Sequence, residues 1–156
     1  MIYMAEVITQ IPGYEKGTVQ TVVASDEEGA IVLSAQVVSD LLNKWNTTVA
    51  FFSLTSRSEK LLELVNNQSS VARLFTVNQK NHSFPVIENK ARGMVHSKFV
   101  RAVVIEGLPE QDLNHQYWLH RLAKSAHIPV VQIVIKKKDE AVKQIQQTGA
   151  NNNNTR

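Results

Sequence analysis

Apolar positions along the chain fall into short β-branched runs separated by longer stretches in which apolar residues return every three or four positions. Thr18 to Ala24 (TVQTVVA), bounded by Gly17 and the acidic turn Ser25-Asp26-Glu27-Glu28, predicts a strand followed by a loop. From Gly29 to Trp45, Ile31, Leu33, Ala35, Val38, Leu41 and Leu42 recur at near-helical spacing and predict a helix covered over much of its circumference. Val49 to Leu54 (VAFFSL) predicts a second, buried strand. Ser56 is the candidate cap of a helix from Arg57 to Asn66, whose inner face is Leu61, Leu62, Leu64 and Val65; the polar cluster Asn66 to Ser70 ends it. Val71 to Val77 predicts a third strand.

The second half repeats the alternation. Asn78 to Pro85 is polar and predicts an exposed loop, Glu88 to Lys98 a weak helix, and Phe99 to Glu106 (FVRAVVIE) the best-defined buried strand, broken by Gly107-Leu108-Pro109. Glu110 to His127 predicts a helix with Leu113, Tyr117, Leu119, Leu122 and Ala126 near one side, and Ile128-Pro129 introduces a last strand, Val130 to Ile135. After Lys136-Lys137-Lys138, Asp139 to Gln147 reads as a short helix and residues 151–156, with Asn151 to Asn154, as a disordered tail. Such alternation predicts one α/β domain over residues 1–150, with a mainly parallel sheet covered on both faces and right-handed crossovers. Ligands of such sheets sit beyond the carboxyl ends of the strands, here the loops 25–29, 54–57, 77–85 and 107–110.

A length of 156 residues suits a single domain, because a chain of this size buries roughly 70% of the surface its unfolded form exposes. We therefore expect no large multidomain enzyme. The absence of cysteine removes disulfides, thiolate metal sites and cysteine nucleophiles, and fits a reducing compartment. No stretch approaches about 18 consecutive apolar residues. Met1 to Gln10 has no basic start followed by an apolar block. We therefore expect a soluble, cytoplasmic protein with no membrane partner. Lys and Arg number 17 against 14 Asp and Glu, and this net +3 does not by itself separate a nucleic-acid binder from an ordinary protein.

The first strand and the glycine that follows occupy the place of a phosphate-binding loop, GxxxxGK[ST], in which amides cradle phosphates, a lysine reaches the terminal phosphates and a hydroxyl holds magnesium. The corresponding stretch is Ala24 to Ile31 (ASDEEGAI): Gly29 is kept, but Ala30 stands at the lysine position and Ile31 at the hydroxyl position. Asp26, Glu27 and Glu28 add three negative charges where a polyanion would dock. Neither nucleotide nor other cofactor is expected there.

Around this loop, residues 11 to 138 resemble a RecA-like core in order and spacing, a three-layer sandwich with a mainly parallel central sheet. Ile11 to Ala24 (IPGYEKGTVQTVVA) is similar to the glycine turn and first strand that lead into the phosphate loop. Val49 to Ser56 (VAFFSLTS) is similar to the second core strand of RecA and DnaB-type proteins, and His120 to Val131 (HRLAKSAHIPVV) to a late helix and strand. Ala102 to Leu108 (AVVIEGL) resembles the strand that ends in the magnesium-associated acid; Glu106 reads as a remnant of that acid or as a strand-end acid facing solvent.

A small RecA-like chain without the phosphate lysine also resembles the SulA-type inhibitors of cell division, induced in the SOS response to DNA damage. The resemblance rests on Gly17 to Val23, the long apolar helix before Trp45, Ser53-Leu54-Thr55 followed by a helix, and Ala102 to Ile105. It implies a non-catalytic protein that binds the tubulin-like GTPase FtsZ and blocks its polymerisation. Leu54 matches a leucine of the partner-facing loop and Arg73 a basic position near the third strand, while Ala50 and Ser53 replace the tryptophans usual in the second strand. The partner-binding residues implied are Leu54, Thr55, Arg57 and Arg73, with Lys44 and Trp45 as further anchors. The alternative is an ATPase-dead RecA or DnaB-like paralogue, a recombination or replication accessory that binds DNA, through Lys136 to Lys138, or a RecA-fold partner. Exposed sheet edges make a homodimer reasonable.

Other patterns carry less. His96-Ser97-Lys98 echoes the HxK of phospholipase D-like enzymes, but the aspartate expected five residues later is Val103, inside an apolar run. His115 and His120 are five apart on one helix, whereas helical metal pairs favour three or four, and His127 suits a helix end. No serine lies in a GxSxG elbow. We therefore expect no metal site and no catalytic residues. Arg57, Lys60, Arg73, Lys80, Lys90, Arg92, Lys98 and Arg101 form a basic surface only if the fold gathers them; with acids interspersed and few aromatics, a solvated rim is the better reading.

Overall fold

In the computed structural model, which describes residues 14–66, 73–79, 84–109 and 113–135, the apolar runs become five parallel strands and the amphipathic stretches four helices. In chain order these are β1 (Val19–Ala24), α1 (Glu27–Asn43), β2 (Val49–Ser53), α2 (Ser58–Asn66), β3 (Leu74–Asn78), α3 (Phe84–Ser97), β4 (Ala102–Pro109), α4 (Leu113–Ala126) and β5 (Val130–Ile135). The sheet runs β1-β5-β4-β2-β3. Steps from β1 to β2 and from β2 to β3 run one way along the sheet and place α1 and α2 on one face. Steps from β3 to β4 and from β4 to β5 run back and place α3 and α4 on the other, as crossovers of a single hand require.

Period-2 alternation divides each strand between two cores. Val49, Phe51, Val104, Val131 and Ile133 pack with Leu33, Leu41 and Leu61 under α1 and α2. Phe52, Val103, Ile105 and Val130 pack with Ile87, Leu119 and Leu122 under α3 and α4. Every residue of β2 is buried, which is why its sequence reads as continuous apolar rather than alternating.

Several local expectations are corrected. The acidic turn is the first turn of α1, because the Asp26 side chain accepts from the Gly29 N–H and caps the helix two residues before Gly29. Ser56 is not a cap: its φ is +59°, and the Arg57 and Ser58 N–H groups donate to Ser53 Oγ and Asn78 Oδ1. The first turn of α2 thus takes its partners from the strand ends beneath it. Helix α3 begins at Phe84, four residues before Glu88, and the run at Phe99 becomes a strand only from Ala102, since Phe99 has φ +56° and is exposed.

Gly107 does not end the fourth strand. The register slips between Glu106 and Leu108, a β-bulge that carries the strand to Pro109 and turns Leu108 into the α3/α4 core. Gly107 has φ +99°, and a Cβ there would lie 2.9 Å from Thr55 Cγ2 and 3.2 Å from Leu54 Cβ. Only glycine meets both demands without strain. Lys80, Lys136 to Lys138, the helix expected over 139–147 and the tail 151–156 lie outside the described residues.

Candidate functional site

Strands β2 and β4 are neighbours, yet β2 leads into α2 on one face and β4 into α4 on the other. A sheet of this kind opens a crevice at the carboxyl ends of such a pair. Register places Ser53 beside Glu106 there, both on the α1/α2 side. Glu106 is fully buried. Ser53 Oγ donates to Glu106 Oε1 at 2.8 Å, and Thr55 Oγ1 lies 2.8 and 2.9 Å from the two carboxylate oxygens. Ser53 Oγ in turn accepts the Arg57 N–H at 2.8 Å, so the acid anchors the β2–α2 turn through its hydroxyls. Burial pushes the Glu106 carboxyl above its ordinary value; the hydroxyls and Arg57 pull back without cancelling the rise. Of the two expectations for Glu106, the solvent-facing acid is overturned.

The amino end of α1 forms the other wall. Asp26 Oδ1 lies 2.6 Å from Gly29 N, and the Ala30 N–H donates to the Asp26 carbonyl at 3.0 Å. Arg57 reaches Glu27 at 2.8 Å and Glu28 at 3.5 Å. The Gly29 amide, one of those that would face a phosphate, is therefore taken by the chain's own Asp26 carboxylate; Arg57 is already paired with the two glutamates, and Lys60 lies beside it. Ala30 and Ile31 are fully buried in the core. A phosphate at this end meets Asp26, Glu27 and Glu28, each repelling it by about 1–4 kcal/mol at contact distance.

The six residues singled out for partner binding separate into two groups. Thr55 and Arg57 are at the carboxyl edge, holding Glu106 and the α1 glutamates. Leu54 is beside them but 6% exposed, packed in the α3/α4 core, so it presents no surface to a partner. Arg73 precedes β3 at the amino edge, where it donates to Asn46 Oδ1 and to the Leu42 carbonyl at the end of α1. Lys44 and Trp45 follow α1 at that same edge, roughly 16 Å from the first group across a five-residue strand. One partner-facing loop does not contain both sets.

Sequence reasoning missed the feature that organises the amino edge. The Tyr14 hydroxyl donates to Asp40 Oδ2 at 2.8 Å, and its ring meets Trp45 edge-on with centroids 6.1 Å apart. Burial, then the Asp40 bond, push the Tyr14 hydroxyl well above the ordinary tyrosine range. A groove of about 530 Å³ opens beside this pair, lined also by Leu41, Lys16, Arg101 and Pro129. Trp45 is 45% exposed at its rim. No signal in the sequence joins Tyr14 to Asp40; Asp26 before a helix was a readable cap.

Among the described residues, no group of three or more His, Asp or Glu is placed to hold a metal ion. His96 and Lys98 are exposed at the end of α3, while Val103 lies inside the sheet. No described helix is long and apolar enough to cross a membrane.

No protein-family model and no curated protein matches the chain. Among solved structures it is similar to a KaiC-like protein from the hyperthermophilic archaeon Pyrococcus horikoshii OT3, at 12% identity and a TM-score of 0.59. The likeness covers 79% of this chain and 63% of that one, so the chain spans less than two thirds of the neighbour's length. At this identity the likeness speaks to architecture: the fold is RecA-like, a mainly parallel α/β sandwich.

Proposed function

We propose that this protein is a non-catalytic RecA-fold paralogue, a recombination or replication accessory that works by binding rather than by nucleotide turnover. One observation carries the reading: the amino end of α1 is occupied by Asp26, Glu27 and Glu28, with Arg57 locked onto the two glutamates. Glu106, at the place of the magnesium-associated acid, is buried and engaged by Ser53 and Thr55. Its role is to hold a turn. Phosphate release from ATP or GTP, with and without oligonucleotide, is the test: rates at the buffer blank support the reading, and turnover lost in Glu106→Gln overturns it.

A SulA-like block of FtsZ is the second reading, favoured by the half-exposed Trp45 at the rim of the amino-edge groove with Lys44 beside it. It predicts that a stoichiometric amount of the protein lowers FtsZ sedimentation and that Trp45→Ala relieves the effect. Unchanged sedimentation at a twofold excess removes it.

A further inference from the structure

The net charge of +3 hides a segregation by layer. Residues 84–101 and 113–127, which hold α3, α4 and the turns beside them, contain six Lys and Arg against one acid, a balance of +5. All six are exposed: Arg92, Arg121 and Lys124 along α3 and α4, Lys90 and Lys98 toward β3, where they reach Gln79 Oε1 and the Phe75 ring, and Arg101 at the amino edge, where it also lines the groove beside Trp45. The acid, Glu88, is 6% exposed. On the opposite layer, residues 26–45 and 57–66 hold six acids and three cations, a balance of −3. The two layers therefore present surfaces of opposite sign.

The basic layer is also ordered. Arg92 Nη2 and Arg121 Nε donate to the same oxygen of Glu88, at 2.6 and 3.3 Å, across the α3–α4 seam, and Arg92 also reaches Ser125 Oγ at 2.7 Å. One carboxylate serves two guanidiniums, so the seam keeps a positive charge whose geometry is fixed. Arg121 further stacks over Trp118 at 5.1 Å. Tyr117, His120, Arg121 and Lys124 recur at the spacing of one helix face, and the Tyr117 ring is 61% exposed. Phe99, 66% exposed, follows α3 at the amino edge, with the Arg101 guanidinium 5.8 Å from its ring centroid.

The geometry points to the α3–α4 face as a binding surface for single-stranded nucleic acid, its cations on phosphates and Tyr117 and Phe99 under unstacked bases. Exposed aromatics interleaved with cations suit a strand whose bases offer their π-faces, whereas a duplex presents phosphates without them. An anionic bilayer would instead call for a continuous apolar stripe, and the exposed positions of α3 and α4 are mainly polar or charged. This inference deepens the accessory-factor reading by naming its partner, but stands on different residues from the closed phosphate site; ATP turnover would overturn that reading alone.

The test is a fluorescence titration of the full-length chain against a labelled oligo-dT of roughly 20 nucleotides at about 50 mM salt, repeated as salt is raised. Binding should weaken linearly in log–log form. Lys90→Glu/Lys98→Glu/Lys124→Glu, which leaves the Glu88 cluster intact, should cut affinity at least tenfold and flatten the salt slope by about 2. Lys124→Glu alone and Tyr117→Ala should each lower affinity measurably with an unchanged thermal melt, while Lys44→Glu/Lys60→Glu on the other layer should not. Absent binding, binding indifferent to the triple variant, or stronger association with phosphatidylserine vesicles than with oligo-dT would overturn the proposal.

Discussion

Glu106 shows how a single acid can be kept for its hydrogen bonds. It is buried on a central strand, and its two oxygens take hydroxyl donors from Ser53 and Thr55, the residues that begin the β2–α2 turn. Because burial raises its pKa in the fold above the ordinary glutamate value of 4.5, the folded chain holds this proton to higher pH than the unfolded chain does. Its contribution to stability is therefore greatest below that value, falls as pH rises toward the folded pKa, and is level beyond it. Urea unfolding of the wild type compared with Glu106→Gln across pH 4–9 should show the difference growing in favour of the variant as pH rises through the folded pKa and levelling beyond it. Glu106→Ala strands two hydroxyls and should cost about 2–3 kcal/mol at neutral pH. A pH-independent difference between wild type and Glu106→Gln would contradict this account. None of it was readable locally: Ser53 and Glu106 are 53 positions apart and meet only through the register of two strands that other elements separate in sequence.

At the level of elements, the alternation of apolar runs with amphipathic stretches was legible, since burial on both faces writes strands such as VAFFS as unbroken apolar segments. Boundaries were less so, for particular reasons. Gly107-Leu108-Pro109 reads as a terminator, yet the close passage of Leu54 and Thr55 makes Gly107 a bulge inside the strand. Gly107→Ala should accordingly lower the denaturation midpoint by an amount equivalent to about 2–3 kcal/mol, from the positive φ together with the 2.9 Å approach. Glu88 couples α3 to α4 by the same kind of non-local logic. Glu88→Ala leaves Arg92 and Arg121 facing each other and should lower the midpoint measured in the same titration, with Glu88→Gln losing less. Equal stability of Glu88→Ala and wild type would show that the seam is held by its apolar contacts alone.

For the whole molecule, strand order decides what the candidate residues can do together. Leu54 and Arg73 are both implied as partner-binding residues near strand ends, but β2 and β3 run parallel, so the end of one and the start of the other lie at opposite edges. The basic residues behave likewise. Arg57 joins the acidic α1/α2 layer and Arg73 the amino edge, while Lys90, Arg92 and Lys98 join Arg121 and Lys124, a grouping invisible in a summed charge of +3. The fold thus separates a carboxyl edge lined by its own carboxylates from an exposed basic helical face. Equilibrium titration with ATP and magnesium reads whether that edge is closed. A closed edge shows no saturable binding up to about 1 mM, a ceiling of roughly −4 kcal/mol; saturable, magnesium-dependent binding below about 100 µM that is lost in Glu106→Gln would mean that the edge is open.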